Sequence, residues 1–116
     1  MIYALFLLFT KHLIIDFPLQ TPYQWMNKGT YGHPGGLLHA GLHALGTYIV
    51  FIILNASIEG AFILAFIDGF LHYHIDWVKM KLNKFYGWTP KNPQFWTLLG
   101  LDQYLHLLTY LLLVIL

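Results

Sequence analysis

Apolar residues fill four stretches of this chain, at about residues 1–17, 37–54, 60–78 and 95–116, and the segments between them change character abruptly. Met1 to Phe17 is interrupted only by Thr10, Lys11, His12 and Asp16. A helix of that length covers about 25 Å, slightly short for a bilayer core but workable with snorkelling side chains. Pro18 ends it. Residues 18–36 hold Pro18, Pro22, Trp25, Gly29, Gly32, Pro34, Gly35 and Gly36, which predicts a loop or interfacial segment. Tyr23, Trp25 and Tyr31 in it suit the headgroup layer. The second stretch ends at a short turn, Asn55 to Gly60, where Asn55 or Ser57 can cap the third. Residues 79–94, with Lys79, Lys81, Lys84, Lys91, Trp88, Pro90 and Pro93, predict a second long connector. Asn92-Pro93 then starts the fourth stretch. The pattern predicts an all-α protein, an integral membrane four-helix bundle forming one transmembrane domain over residues 1–116.

Composition sharpens this. The chain is 58% hydrophobic and 9% charged, against about 25% charged in an ordinary soluble domain. So few charges cannot solvate a water-facing surface, so most of the exterior must face lipid. Four spans put both long connectors on one side, and those connectors carry five of the six lysines. The positive-inside tendency makes that side cytoplasmic and turns both termini outward. Lys11, the sixth, is near enough to the same face to snorkel to it. The first stretch lacks a basic n-region and a small-residue cleavage site, which predicts a retained helix. No Arg is present and the net charge is +1, which argues against nucleic acid and leaves membrane lipid as the expected partner. A homo-oligomer is open to spans this short. Without Cys, any metal must be held by imidazole and carboxylate.

Those groups follow a rule. His12/Asp16, His39/His43, His72/Asp76 and Asp102/His106 are each four residues apart, as are Asp68 and His72. Residues at that spacing share one helix face. Eleven His and Asp scattered over 116 positions would give about one such pair by chance. Each apolar stretch carries one at a similar depth toward the lysine side. Asp16, His39, Asp76 and Asp102 lie nearer the connectors, and His12, His43, His72 and His106 lie one turn deeper. Asp68 lies a turn below them.

A single His-x-x-x-Asp is usually a polar pair, but four at matched depth point to a metal centre. Ionisable groups inside a bilayer normally face the bundle interior. Several carboxylates cannot stay ionised there without cations, and one or two divalent ions would supply them. The eight candidate ligands are His12, Asp16, His39, His43, His72, Asp76, Asp102 and His106. Zinc is the first expectation, with iron or manganese as alternatives. More donors than a four-coordinate structural zinc needs suggest a metal-bound water near the headgroup layer, with Asp68 or Asp76 as its base. The expected activity is metal-dependent hydrolysis of a lipid phosphoester. His74 points away from that face, His33 reads as an ordinary loop residue, and Gln20 and Gln103 suit hydrogen bonds to the ligands. Rival readings are a metal or proton conduit, a His-rich di-iron oxidase, and a non-catalytic protein locked by its metal.

Lys11-His12-x-x-x-Asp16-Phe17-Pro18-Leu19-Gln20, His39-Ala40-x-x-His43-Ala44, His72-x-x-x-Asp76 and Asp102-Gln103-x-x-His106 together resemble the DUF3307 family of small bacterial and phage membrane proteins. The resemblance covers nearly the whole chain and implies a membrane fold built around these residues, without implying a reaction. A looser similarity, carried by the His-x-x-x-Asp pairs, exists to YdjM-type membrane-bound metal-dependent hydrolases and to zinc phospholipase C. Asp102-x-x-x-His106 departs from it by reversing the order.

Overall fold

A computed structural model describes all of residues 1–116. The chain is helical throughout, in the order α1 (Ile2–Asp16), α2 (Pro22–Trp25), α3 (Pro34–Ile53), α4 (Ile58–Tyr86) and α5 (Pro93–Ile115). Helices α3, α4 and α5 are long and apolar enough to cross a membrane. With 15 residues, α1 spans only about 22 Å.

The helix ends follow from local chemistry. Pro22, Pro34 and Pro93 each open a helix, where the missing N–H loses no bond and φ is already helical. The Ser57 hydroxyl accepts from the Gly60 N–H and caps α4. His33 does the same for α3, accepting from the Gly35 N–H. Gly87 closes α4 in the left-handed conformation that glycine adopts without strain.

Two boundaries differ clearly from expectation, and Pro22–Trp25 forms a short helix within the first connector. Helix α3 starts at Pro34, three residues before the expected second span, because Pro34 suits the first helical position behind the His33 cap. Residues 79–86 continue α4 instead of starting the second connector, which shrinks to residues 87–92. Lys-Met-Lys-Leu-Asn-Lys contains no helix breaker, so α4 runs on until Gly87. At 29 residues it is about 43 Å long, close to the molecule's 45 Å longest dimension.

The four long helices form a closed ring in which α1 packs on α3, α3 on α4, α4 on α5 and α5 on α1. Helix α2 folds back onto α3. This is possible because residue 35 is glycine: a Cβ there would lie 2.3 Å from the Tyr23 carbonyl oxygen. Tyr31 packs edge-on against Trp77, and a Cβ on Gly29 would meet Met80, so the first connector rests on the far half of α4.

The bundle is polar inside and apolar outside. Of 28 buried residues, 15 are polar or charged, while Phe, Leu, Ile and Trp side chains crowd the exterior. That inversion suits a hydrocarbon solvent and would be ruinous in water. The apolar core is confined to one end, where Leu8, Val50, Phe51, Ala61, Tyr110 and Leu113 pack together beside the short α3–α4 turn. The polar core fills the other end, under the connectors.

Gly35→Ala should drive α2 off α3 and destabilise the protein by about 1–3 kcal/mol, the usual penalty of overpacking. Gly41→Ala, where a Cβ would meet nothing within 4 Å, should leave stability unchanged or slightly raised. Thermal unfolding in detergent compares the two, and equal midpoints would refute the α2 packing.

Candidate metal centre

Each helix of the ring sends its polar pair inward because the i, i+4 rows lie on the faces that meet at the axis. Helix α1 supplies Asp16, α3 His39 and His43, α4 His72 and Asp76, and α5 His106, all buried. Two groups of ligand atoms result. One atom each from Asp16, His39, His43 and His72 lies within 4.8 Å of the others, as does one each from His72, Asp76 and His106. These buried groups could hold a metal ion. A neutral imidazole nitrogen has one lone pair, so a His72 Nε2 that serves one group is unavailable to the other.

The remaining sequence candidates surround these groups. His12 Nδ1 lies 2.6 Å from the Tyr110 hydroxyl and its Nε2 2.8 Å from Gln103 Oε1. The amide oxygen can only accept, so Nε2 carries the proton and Tyr110 donates to Nδ1. His12 Nε2 also lies 3.1 Å from Asp16 Oδ2. Asp102 is 3.4 Å from His106 and 3.2 Å from Lys79 Nζ. Asp68, one turn deeper, accepts from Lys11 Nζ at 2.7 Å and from the Thr47 hydroxyl. Gln103 donates to Asp16 and Asp102, and Gln20 accepts from Lys28. His74 lies outside, 2.9 Å from the Tyr31 hydroxyl.

Three lysines enter the core contrary to expectation. Lys11 does not snorkel: it is buried, bonded to Asp68 and to both Nδ1 and the carbonyl of His43. Lys28 and Lys79 are buried too, 3.4 Å from Asp76 Oδ2 and 3.7 Å from Asp76 Oδ1. The carboxylates are thus compensated mainly by ammonium groups, and four buried Asp face three buried Lys. With neutral imidazoles the core retains one negative charge. Lys79, three residues beyond Asp76, shares its helix face, but spacing does not say whether the side chain reaches inward, and Lys11, adjacent to His12, lies on a different face from it. Lys28 and Gln24 come from a loop and left no periodic trace.

Hydrogen bonding then tests whether the donors fit a cation. Gln24 Nε2 donates to the Leu19 carbonyl, which turns its Oε1 toward His39 Nδ1 at 3.1 Å. His39 therefore carries its proton on Nδ1 and presents a lone pair at Nε2. That lone pair faces Asp16 Oδ1 at 3.1 Å, Asp76 Oδ2 at 3.3 Å and His72 Nε2 at 3.2 Å. Acceptors converge like this only around a proton or a metal. Asp76 Oδ2 is buried with nitrogens of His72, His39 and Lys28 within 3.1–3.4 Å, yet hydrogen-bonds none of them. Ligands about 2.0–2.1 Å from a tetrahedral ion stand roughly 3.3 Å from one another. The measured separations, 2.7 Å for His43–Asp16 up to 3.6 Å for His72–Asp16, bracket that value.

An all-helical bundle with three membrane-length helices and a buried His/Asp core defines a class of polar-centred, apolar-coated protein. The chain belongs to the family described as "Protein of unknown function (DUF3307)", whose model matches residues 4–116. No curated protein and no solved structure matches it.

Lys11→Met should destabilise the protein by about 3–5 kcal/mol, because it strands Asp68 as a lone buried charge. Adding Asp68→Asn should recover most of that loss. Denaturation in detergent reads the cycle, and a double variant no more stable than Lys11→Met would overturn the pairing.

Proposed function

We propose that this protein is an integral membrane metal-dependent hydrolase, with its centre beneath the connectors and facing the cytoplasmic leaflet. The observation that carries the reading is the His39 Nε2 lone pair aimed at two carboxylate oxygens and a second imidazole. Asp16, His39, His72, Asp76 and His106 are the ligands best prepared for an ion. His43 is less free, since Lys11 donates to its Nδ1 and its Nε2 is 2.7 Å from Asp16. Imidazole and carboxylate suit zinc, iron or manganese.

A bound divalent ion would supply Lewis acidity and an acidified water. The chain's own groups would do the rest. Asp68 is already filled by Lys11 and Thr47 and lies a turn deeper, which makes it the weaker proton acceptor. Asp102 Oδ1 is buried without a hydrogen-bond partner and is the better placed one. The substrate class that fits a centre at headgroup depth is a lipid phosphoester. Exposed Lys81, Lys84 and Lys91 at the connector end favour a cytoplasmic position for that end. A transmembrane conduit is disfavoured by the apolar plug of Leu8, Val50, Phe51 and Leu113 at the opposite end.

Metal content of detergent-purified protein, beside His72→Ala, tests the centre. Near-stoichiometric metal that is lost on removing the residue common to both groups is expected. Gln24→Leu should weaken metal binding about 10–100-fold, since it frees His39 to take the wrong tautomer. Release of phosphorylated headgroup from phospholipid vesicles by metal-loaded protein, and none after chelation, is expected for the hydrolase. A metal-loaded protein that releases nothing would reduce the metal to a structural role.

A further inference from the structure

The charge balance of the core changes sign when a divalent ion binds. With every imidazole neutral, as ligation requires, four carboxylates and three ammonium groups carry one negative charge, so a single divalent cation leaves one positive charge. An uncompensated charge in an apolar surround is expensive, and here it would call for an anion. A cleft of about 470 Å³ lies where that anion could reach it, between the first connector, the far half of α4 and the start of α5. Lys28, Lys79 and Lys84 line it beside Trp25, Trp88 and Phe95. Lys28 and Lys79 are the two lysines that flank the oxygens of Asp76, so the wall of the cleft is also the wall of the centre. Asn83, on the same wall, has a buried Oδ1 with no hydrogen-bond partner.

Lys79 also borders a second, apolar groove of about 270 Å³ between α4 and α5. Leu71, Ile75, Val78, Leu98, Leu101 and Leu105 form its sides, with Asp102 at its polar end. A charged cleft and an apolar groove that meet at one lysine match the two ends of an amphiphile.

We propose that the cleft binds the phosphate of an anionic phospholipid, with an acyl chain in the α4–α5 groove, and that this lipid and the metal ion bind cooperatively. This deepens the hydrolase reading and rests on its metal centre. A metal at Asp76 competes with Lys28 and Lys79 for the carboxylate oxygens and turns both ammonium groups toward the phosphate. Linkage makes the effect reciprocal: lipid that engages the lysines must tighten metal by the same factor that metal tightens lipid.

The test measures zinc affinity of the full chain in dodecylmaltoside by competition with a chromophoric chelator. Four conditions are compared: micelles alone, and micelles with dimyristoyl phosphatidate, with dimyristoyl phosphatidylcholine or with inorganic phosphate. Zinc binding in plain micelles reports on the metal centre separately. Phosphatidate should tighten zinc at least fivefold, while phosphatidylcholine and inorganic phosphate should each change it less than twofold. Lys84→Gln, which lines the cleft but lies outside the polar core, should still bind zinc and lose most of the lipid effect, and Lys91→Gln should keep it.

Native mass spectrometry of the same samples should show one retained phosphatidate per zinc-loaded chain. Zinc affinity indifferent to phosphatidate would overturn the inference and leave the centre standing. Equal tightening by inorganic phosphate would replace the lipid with a free anion, and equal tightening by phosphatidylcholine would remove the role of net charge. Either result refutes the proposal as stated. If wild-type protein binds no zinc in plain micelles, the centre and the inference fall together.

Discussion

The structure depends on compensating carboxylates that are held out of water. Asp16, Asp68, Asp76 and Asp102 are all buried inside a shell of apolar side chains. Lipid offers no driving force for pressing one apolar helix face against another, so association rests on close packing and on polar contacts between helices. Each carboxylate here supplies such a contact. Asp16 joins α1 to α3 through His39 and His43, and Asp76 joins α4 to α5 through His106. Lys79 adds a second α4–α5 tie at Asp102, and Lys11 reaches across the diagonal from α1 to Asp68 on α4. Lys28 draws the first connector onto α4. The charges that make the core costly are also what hold its elements in register.

Close packing does the rest, and it is concentrated where two backbones must approach. A Cβ on Gly69 would lie 3.0 Å from the Ala44 Cβ and 3.5 Å from the Ala40 carbonyl oxygen, so α3 and α4 meet through small residues. That approach brings the His39–His43 face of α3 against the His72–Asp76 face of α4. The imidazoles of His43 and His72 stack at 3.6 Å between centroids, and those of His72 and His106 at 3.9 Å. His72 is the centre of the array, and its Nδ1 is buried without a partner. Other imidazole nitrogens of the array are tied by hydrogen bonds to Asp16, Asp76, Gln24, Lys11 and each other, so this nitrogen stands out among them.

Much of this was legible in the chain, for one reason: spacing of four is a helical instruction. His12/Asp16, His39/His43, His72/Asp76 and Asp102/His106 could be assigned to inward faces without any knowledge of packing. The helix starts after Ser57 and at Pro93 were equally readable, since capping is local, whereas Pro34 read as connector because Gly35 and Gly36 follow it. The lysines were not. Spacing says which face a residue occupies, but a lysine on a membrane helix end has two low-energy options: reach outward to water or inward to a carboxylate. Only the position of Asp68 and Asp76 on a neighbouring helix decides between them, and that is a tertiary fact. The same ambiguity hid the last two turns of α4, where Lys79, Lys81 and Lys84 read as connector. Gln24, which sets the tautomer of His39, sits on a four-residue helix whose docking depends on the missing Cβ of Gly35.

The two ends of the bundle set the direction of any chemistry. At one end Leu8, Val50, Phe51, Tyr110 and Leu113 close the axis with no polar path beyond Thr47 and Asp68. At the other end Gln20, Gln24 and Lys28 of the connector lie over the centre: Gln20 bonds the Asp16 carbonyl and Lys28, and Gln24 bonds the Leu19 carbonyl and His39. The connector is held to α3 through α2 and to α4 through Lys28 and Tyr31. The polar core is thus closed by apolar side chains at one end and by polar connector side chains at the other, with the unpartnered Asp76 Oδ2 nearer the second.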